Sequence, residues 1–180
     1  MIMGIIKIIT GPMYSGKTTR LVQLLNEAIL YQRCLLLRPS NDTRLCAAYD
    51  NISNQVDTCI IGDLAFISNE EIERYDVIAI DETQFFSNVV CHVNRWANQQ
   101  DLEIICVGLV SDYKFEPFGD FANLLCTAEE VDRLSTDCYI CGEEAFFTKR
   151  TNFATDQISI DKGLGEYIPV CRKCHNSDFV

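Results

Sequence analysis

The sequence lacks any apolar run near the roughly 18 to 20 residues that cross a bilayer. Its first ten residues, Met1 to Thr10, also lack the basic segment and small-residue cleavage site of an export signal. No membrane partner is expected, and the expected location is the cytoplasm. Basic residues are scarce as well: 15 Lys and Arg stand against 26 Asp and Glu, a net charge of −11. So acidic a chain repels a phosphate backbone, which argues against nucleic acid as its primary partner. No internal repeat or low-complexity segment is present. The rest is ordinary: 180 residues, 48% hydrophobic and 23% charged, suit a soluble chain with one domain, or one main domain and a small appendage.

Cysteine is plentiful, at ten residues. Secreted disulfide scaffolds are short, loop-rich chains, whereas Cys34, Cys59, Cys106 and Cys126 sit singly in apolar runs. They are expected to be small core residues in a reducing compartment.

Gly4 to Thr10 is a β-branched run ending at a glycine turn, which predicts a strand buried on both faces. Leu21, Leu24, Leu25, Ala28 and Ile29 then recur at helical spacing, predicting a helix to about Gln32. Further strands are expected at Cys34 to Arg38, Thr58 to Ile61, Val77 to Ile80 and Ile104 to Val107, with helices at Asn88 to Gln99 and Gly119 to Leu134. Alternating strands and helices imply crossover connections, hence an α/β fold with a largely parallel sheet flanked by helices. At Asp137 the pattern turns polar and cysteine-paired. The expected division is therefore an α/β domain over residues 1–136 and a small zinc-binding lid domain over 137–180.

Gly11-Pro-Met-Tyr-Ser-Gly16-Lys17-Thr18 satisfies G-x-x-x-x-G-K-[ST] between a strand and an amphipathic helix, the context a phosphate-binding P-loop requires. Its backbone N–H groups cradle phosphates, Lys17 reaches the β/γ oxygens and the Thr18 hydroxyl suits Mg²⁺. Such a loop needs an acid at a neighbouring strand end, and Val77-Ile-Ala-Ile80-Asp81-Glu82 supplies it. Asp81 suits the metal side and Glu82 a general base; the bland alternative for Glu82 is a solvated acid. Arg44 lies in a polar loop reachable from the phosphate end, as either a charge-neutralising cation or an ordinary surface arginine.

Cys138-x-x-Cys141 and Cys171-x-x-Cys174 form two knuckles, the arrangement of a closed, structural Zn²⁺ site. A redox pair and disulfides are the competing readings. His175, next to Cys174, is a lesser candidate ligand, and His92 reads as ordinary surface. The stretch between the knuckles is longer than the roughly 15 to 20 residues of a simple zinc ribbon. It carries Thr148-Lys-Arg150, Gly163, Gly165 and Tyr167, residues suited either to a lid over a small polar ligand or to a plain surface excursion.

On Gly11 to Thr18, Asp42-Thr-Arg44, Asp81-Glu-Thr-Gln-Phe-Phe86, Gly108-Leu109, Pro117-Phe-Gly119, Thr148-Lys-Arg150 and Tyr167, taken in this order, the chain resembles the cytosolic, zinc-containing thymidine kinases. The resemblance runs over essentially the whole length. It implies transfer of the ATP γ-phosphoryl to the 5′-hydroxyl of thymidine, with deoxyuridine as a second acceptor, in nucleotide salvage for DNA synthesis. ATP would be held by Gly11, Pro12, Met13, Tyr14, Ser15, Gly16, Lys17 and Thr18 together with Asp42, Thr43, Arg44, Asp81, Glu82, Thr83 and Gln84. Among these, Glu82, Lys17 and Arg44 would be catalytic, with Mg²⁺ at Thr18 and Asp81. Met13, Phe85, Leu109, Tyr113, Phe118 and Thr148 would surround the nucleoside, closed over by Ile158, Ser159, Ile160, Asp161, Lys162, Gly163 and Tyr167 of a zinc-anchored lasso. A homotetramer and feedback inhibition by thymidine triphosphate are further implications.

The departures from that pattern are Thr83, Val110 and Tyr113, and Ile160-Asp-Lys-Gly163 where the family has an Ile-Gly-Gly-like turn. They bear on nucleoside selectivity more than on phosphoryl transfer. Three other functions fit parts of the sequence. An ATP-hydrolysing subunit would use Glu82 on water, a zinc-ribbon adaptor would bind nucleic acid, and a kinase for nucleoside monophosphates would need a basic clamp beyond Lys149, Arg150 and Lys162.

Overall fold

The computed structural model describes residues 4–42, 46–99, 101–151 and 166–177. Its centre is a six-stranded sheet in the order β3-β2-β4-β5-β1-β6, every pairing parallel. The strands are β1 (Ile5–Thr10), β2 (Cys34–Pro39), β3 (Asp57–Ile61), β4 (Val77–Ile80), β5 (Glu103–Gly108) and β6 (Glu130–Arg133). Successive side chains on a strand face opposite ways, so a strand covered on both sides needs apolar residues at every position. Along β4, Val77 and Ala79 join Leu21 and Leu25 of helix α1 (Lys17–Ala28) in one cluster. Ile78 and Ile80 join Val93 and Trp96 of α3 (Val89–Gln99) in the other. The unbroken apolar runs of the inner strands are thus the signature of a sheet between two layers of helix.

A short helix α2 (Asn69–Ile72), N-capped by the Ser68 hydroxyl accepting the Glu71 N–H, precedes β4. Two sequence expectations are corrected. The expected helix from Gly119 to Leu134 shrinks to α4 (Phe121–Leu124), and the chain then enters β6, the sixth parallel strand. Among the described residues β6 pairs only with β1, and all four of its residues are exposed, so it carries none of the apolar pattern that marks a buried strand. Second, Cys34 and Cys106 are buried and Cys59 packs partly buried on the core, but Cys126 is exposed. It follows α4 in a turn, where its aliphatic neighbours in sequence are not neighbours in the core.

Beyond β6 stand two small antiparallel pairs: β7 (Thr136–Asp137) with β8 (Glu144–Ala145), and β9 (Phe147–Arg150) with β10 (Tyr167–Val170). Helix α5 (Arg172–His175) follows. Cys138, Ala145, Ile168, Val170 and Cys174 form a separate apolar cluster among them. No helix of the described residues is long and apolar enough to cross a membrane.

Candidate active site and metal centre

All six parallel strands run the same way, so the loops at their C-terminal ends gather at one edge of the sheet, where α/β proteins bind ligands. The loop from Gly11 to Gly16 joins β1 to α1 there. Gly16 sits at the helix N-cap with φ +80°, a left-handed conformation that glycine adopts without strain. A side chain at Gly11 would meet Leu134 O at 2.6 Å and Ser15 Oγ at 2.7 Å, so the loop can pass close to the strand only as glycine. Ser15 Oγ donates to Pro12 O at 2.9 Å, and Lys17 Nζ donates to the same carbonyl at 2.8 Å. Met13 N–H donates to Thr148 Oγ1 of β9 at 3.0 Å, tying the loop to the cysteine-bearing module.

β4 ends opposite this loop and delivers Asp81, which is 1% exposed. Its Oδ2 accepts the Thr18 hydroxyl at 2.9 Å and the Tyr49 hydroxyl at 2.6 Å, while Oδ1 accepts the Glu82 N–H at 2.8 Å. Burial raises the Asp81 carboxyl to about 6, with the Glu82 charge adding to it, against the lowering pull of those hydrogen bonds. A divalent cation between Thr18 and Asp81 would relieve that burial, and the hydroxyl-plus-carboxylate donor set is the hard oxygen set Mg²⁺ takes. Tyr49 is pushed far above the ordinary phenol range, first by burial and then by the Asp81 charge, so its hydroxyl stays protonated and donates.

Glu82 occupies the left-handed region at φ 49° and ψ 43°, uncommon for a residue with a side chain and costing on the order of 1–3 kcal/mol. Gln84 Nε2 donates to Glu82 Oε2 at 2.6 Å, and Gln84 Oε1 accepts the Leu109 N–H at 3.1 Å. Gln84 is buried, so it links the acid to the loop after β5 through the protein interior. Thr83 is fully buried; its hydroxyl donates to Ile80 O at 2.8 Å and accepts the Val107 N–H at 3.1 Å, which leaves it bracing the strand end.

A cavity of about 430 Å³ opens between these elements. Met13, Tyr14, Gly16, Lys17, Thr18, Asp42, Glu82 and Leu109 line it, bringing eight of the sequence candidates to one place. Thr43 and Arg44 lie outside the described residues. Cys46, Ala47 and Tyr49 also line the cavity, and sequence reasoning missed all three. Of the aromatic candidates, Phe85 and Phe118 meet edge to face with centroids 5.7 Å apart and Tyr113 and Tyr167 lie 6.3 Å apart, but none of the four lines this cavity. Arg150 sits over both tyrosine rings, at 5.4 and 5.3 Å, and pairs with Glu166 at 2.7 Å. Of the lasso candidates, Ile158, Ser159, Ile160, Asp161, Lys162 and Gly163 fall outside the described residues. A second cavity of about 320 Å³, bounded by Gly11, Leu109, Val131, Arg133 and Thr148, was not foreseen.

The sulfurs of Cys138, Cys141, Cys171 and Cys174 all lie within 4.8 Å of one another. Cys141 Sγ and Cys171 Sγ are 3.7 Å apart. Zn–S bonds of about 2.3 Å in a tetrahedron place sulfurs about 3.8 Å apart, so the cluster fits zinc. Burial raises the Cys138 thiol, but hydrogen bonds from neighbouring N–H groups, led by that of Cys171, outweigh it and hold the thiol at about 6. His175 is committed elsewhere. Its ring lies 4.0 Å from that of Phe115, and Nε2 is 3.0 Å from Tyr113 O.

A P-loop facing a strand-end acid pair at the C-terminal edge of a parallel sheet defines a nucleotide-binding α/β protein of the phosphoryl-transfer class. The thymidine kinase family model matches residues 4–175. Thymidine kinase 1 of Dictyostelium discoideum is 37% identical over 98% of this chain and 80% of its own length. The thymidine kinase of Choristoneura biennis entomopoxvirus is 36% identical over 96% and 97%, and that of Myxoma virus (strain Lausanne) 35% over 96% and 96%. This chain belongs to the thymidine kinase family. Among solved structures, the flagellar accessory protein FlaH from Methanocaldococcus jannaschii shares the fold, with a TM-score of 0.51 over 87% of this chain and 76% of that one at 13% identity.

Proposed function

We propose that this chain transfers the γ-phosphoryl group of ATP to the 5′-hydroxyl of thymidine, with deoxyuridine as a second acceptor, giving the nucleoside monophosphate and ADP for nucleotide salvage. What carries the reading is the Thr18 hydroxyl meeting the Asp81 carboxylate at 2.9 Å, with Glu82 next along the chain and lining the same cavity. Glu82 takes the proton of the 5′-hydroxyl as the new O5′–Pγ bond forms, and the bond from Pγ to the bridging oxygen breaks with its electron pair leaving on ADP. Lys17 and Arg44 hold the charge that develops on the transferred group, while Gly11 to Thr18, Asp42, Thr43, Thr83 and Gln84 shape the ATP site. Thr18 and Asp81 would hold the magnesium that accompanies ATP, which would supply neutralisation of phosphate charge.

The nucleoside is received by Met13, Phe85, Leu109, Tyr113, Phe118 and Thr148, and covered by Ile158 to Gly163 and Tyr167. Structural zinc on the four cysteines anchors that cover, which makes residues 137–180 a lid domain on the kinase domain of residues 1–136. A homotetramer, thymidine triphosphate as feedback inhibitor and a cytoplasmic location complete the proposal, on family resemblance. The test is ADP release from Mg-ATP with no acceptor, thymidine, deoxyuridine, deoxycytidine or thymidine monophosphate, with product identity checked. Thymidine-dependent turnover is expected. Turnover indifferent to every acceptor would replace the kinase with an ATPase, and preference for the monophosphate would change the acceptor class.

A further inference from the structure

Among the described residues three donors hold Asp81, and only one of them, Tyr49, belongs neither to the phosphate loop nor to the backbone of the acid pair. Tyr49 lies on a short 3₁₀ helix (Ala47–Asn51) and lines the same cavity as Thr18. The helix is fixed against α1: Asn26 Nδ2 donates to Asn51 O at 2.9 Å, and Asn26 Oδ1 accepts the Ser53 N–H at 2.8 Å. The Tyr49 ring is fixed in turn by Arg38 at the end of β2, whose guanidinium stands 3.7 Å from the ring centroid. A rigid aromatic, braced on two sides, thus presents a single hydroxyl to the carboxylate oxygen that Thr18 also meets. The orientation of a ligating carboxylate is set by the groups that hydrogen-bond it, and Tyr49 is such a group on Oδ2.

We infer that Tyr49 is a positioning residue that aims Asp81 at the magnesium accompanying ATP. The inference rests on the reading of Asp81 as the metal-side acid. Tyr49→Phe deletes only the hydroxyl and keeps the ring under Arg38, so the fold is retained. The full-length chain would be loaded with a non-hydrolysable ATP analogue, and Mn²⁺ binding followed by the electron paramagnetic resonance of the free ion. Tyr49→Phe is expected to weaken Mn²⁺ binding roughly 10-fold or more, to leave metal-free analogue affinity unchanged, and to raise the Mg²⁺ needed for half-maximal turnover by a similar factor.

Mn²⁺ affinity within about two-fold of wild type would overturn the inference. So would an equal loss of analogue affinity without metal, since Tyr49 would then be shaping the nucleotide pocket instead. Asp81→Asn separates the two levels of the argument. If it leaves Mn²⁺ binding intact, the metal-side reading of Asp81 falls and the inference falls with it. If Asp81→Asn abolishes binding while Tyr49→Phe does not weaken it, the inference alone fails.

Discussion

Replacing Gln84 by leucine keeps the buried volume and removes two hydrogen bonds at once, to Glu82 Oε2 at 2.6 Å and from the Leu109 N–H at 3.1 Å. The first is charge-assisted, and such bonds contribute about 1.5–3 kcal/mol. If it holds Glu82 where a 5′-hydroxyl proton is taken, its loss falls on the transition state. At about 1.36 kcal/mol per decade of rate, kcat should drop roughly 10- to 150-fold. The second loss leaves the partly buried Leu109 N–H without its acceptor, costing about 1–3 kcal/mol of stability. At about 2–4 °C per kcal/mol for a chain of this size, Tm should fall by roughly 2 to 12 °C. The assay is steady-state phosphorylation of thymidine at a temperature well below the lowered Tm, alongside thermal unfolding. The decisive control is the double variant: if Gln84 works through Glu82, adding Gln84→Leu to Glu82→Gln should lower kcat little further. Full additivity, or a single variant with wild-type kcat, would refute the positioning argument.

Glu82→Gln should keep ATP affinity, because the phosphate loop and Asp81 are untouched, while thymidine phosphorylation falls on the order of 10²–10⁴-fold in a coupled ADP assay. Cys138→Ser should lower zinc content, measured by atomic absorption, and raise the thymidine KM, since the base of the covering segment loses a ligand; unchanged zinc and kinetics would count against both roles. His175→Ala removes the ring packed at a tilt against Phe115 and the contact with Tyr113 O. It should raise the thymidine KM several-fold while full zinc occupancy is retained, a split that titration of zinc against kinetics would reveal.

Much of this molecule is readable because its chemistry is contiguous in sequence. The phosphate loop, the Val77 to Glu82 strand end and the paired cysteines each announce themselves within eight residues or fewer. The inner strands are readable because burial on both faces forces a continuous apolar run. β6 is hidden for the opposite reason: Glu130–Arg133 is an edge strand exposed on both faces, so its identity lies in the hydrogen bonds it makes to β1 and in no side chain. Tyr49 is hidden because its partner stands 32 residues away along the chain. Nothing in Ala47-Ala-Tyr-Asp-Asn51 separates that tyrosine from a surface one. Gln84 is intermediate; its place in the motif suggested an ATP contact, whereas its side chain faces Glu82 and Leu109.

The hydrogen bond from Met13 N–H to Thr148 Oγ1 has a thermodynamic corollary. That N–H has one hydrogen and therefore one strong acceptor at a time. A phosphate oxygen that claimed it would release Thr148, and with it one tether between the nucleotide loop and the strand leading into the cysteine-clasped segment. Linkage is reciprocal, so whatever ligand clamps Thr148 against the loop must oppose that oxygen by the same factor. The order in which two substrates arrive, and the penalty each imposes on the other, would then be written into a single amide proton.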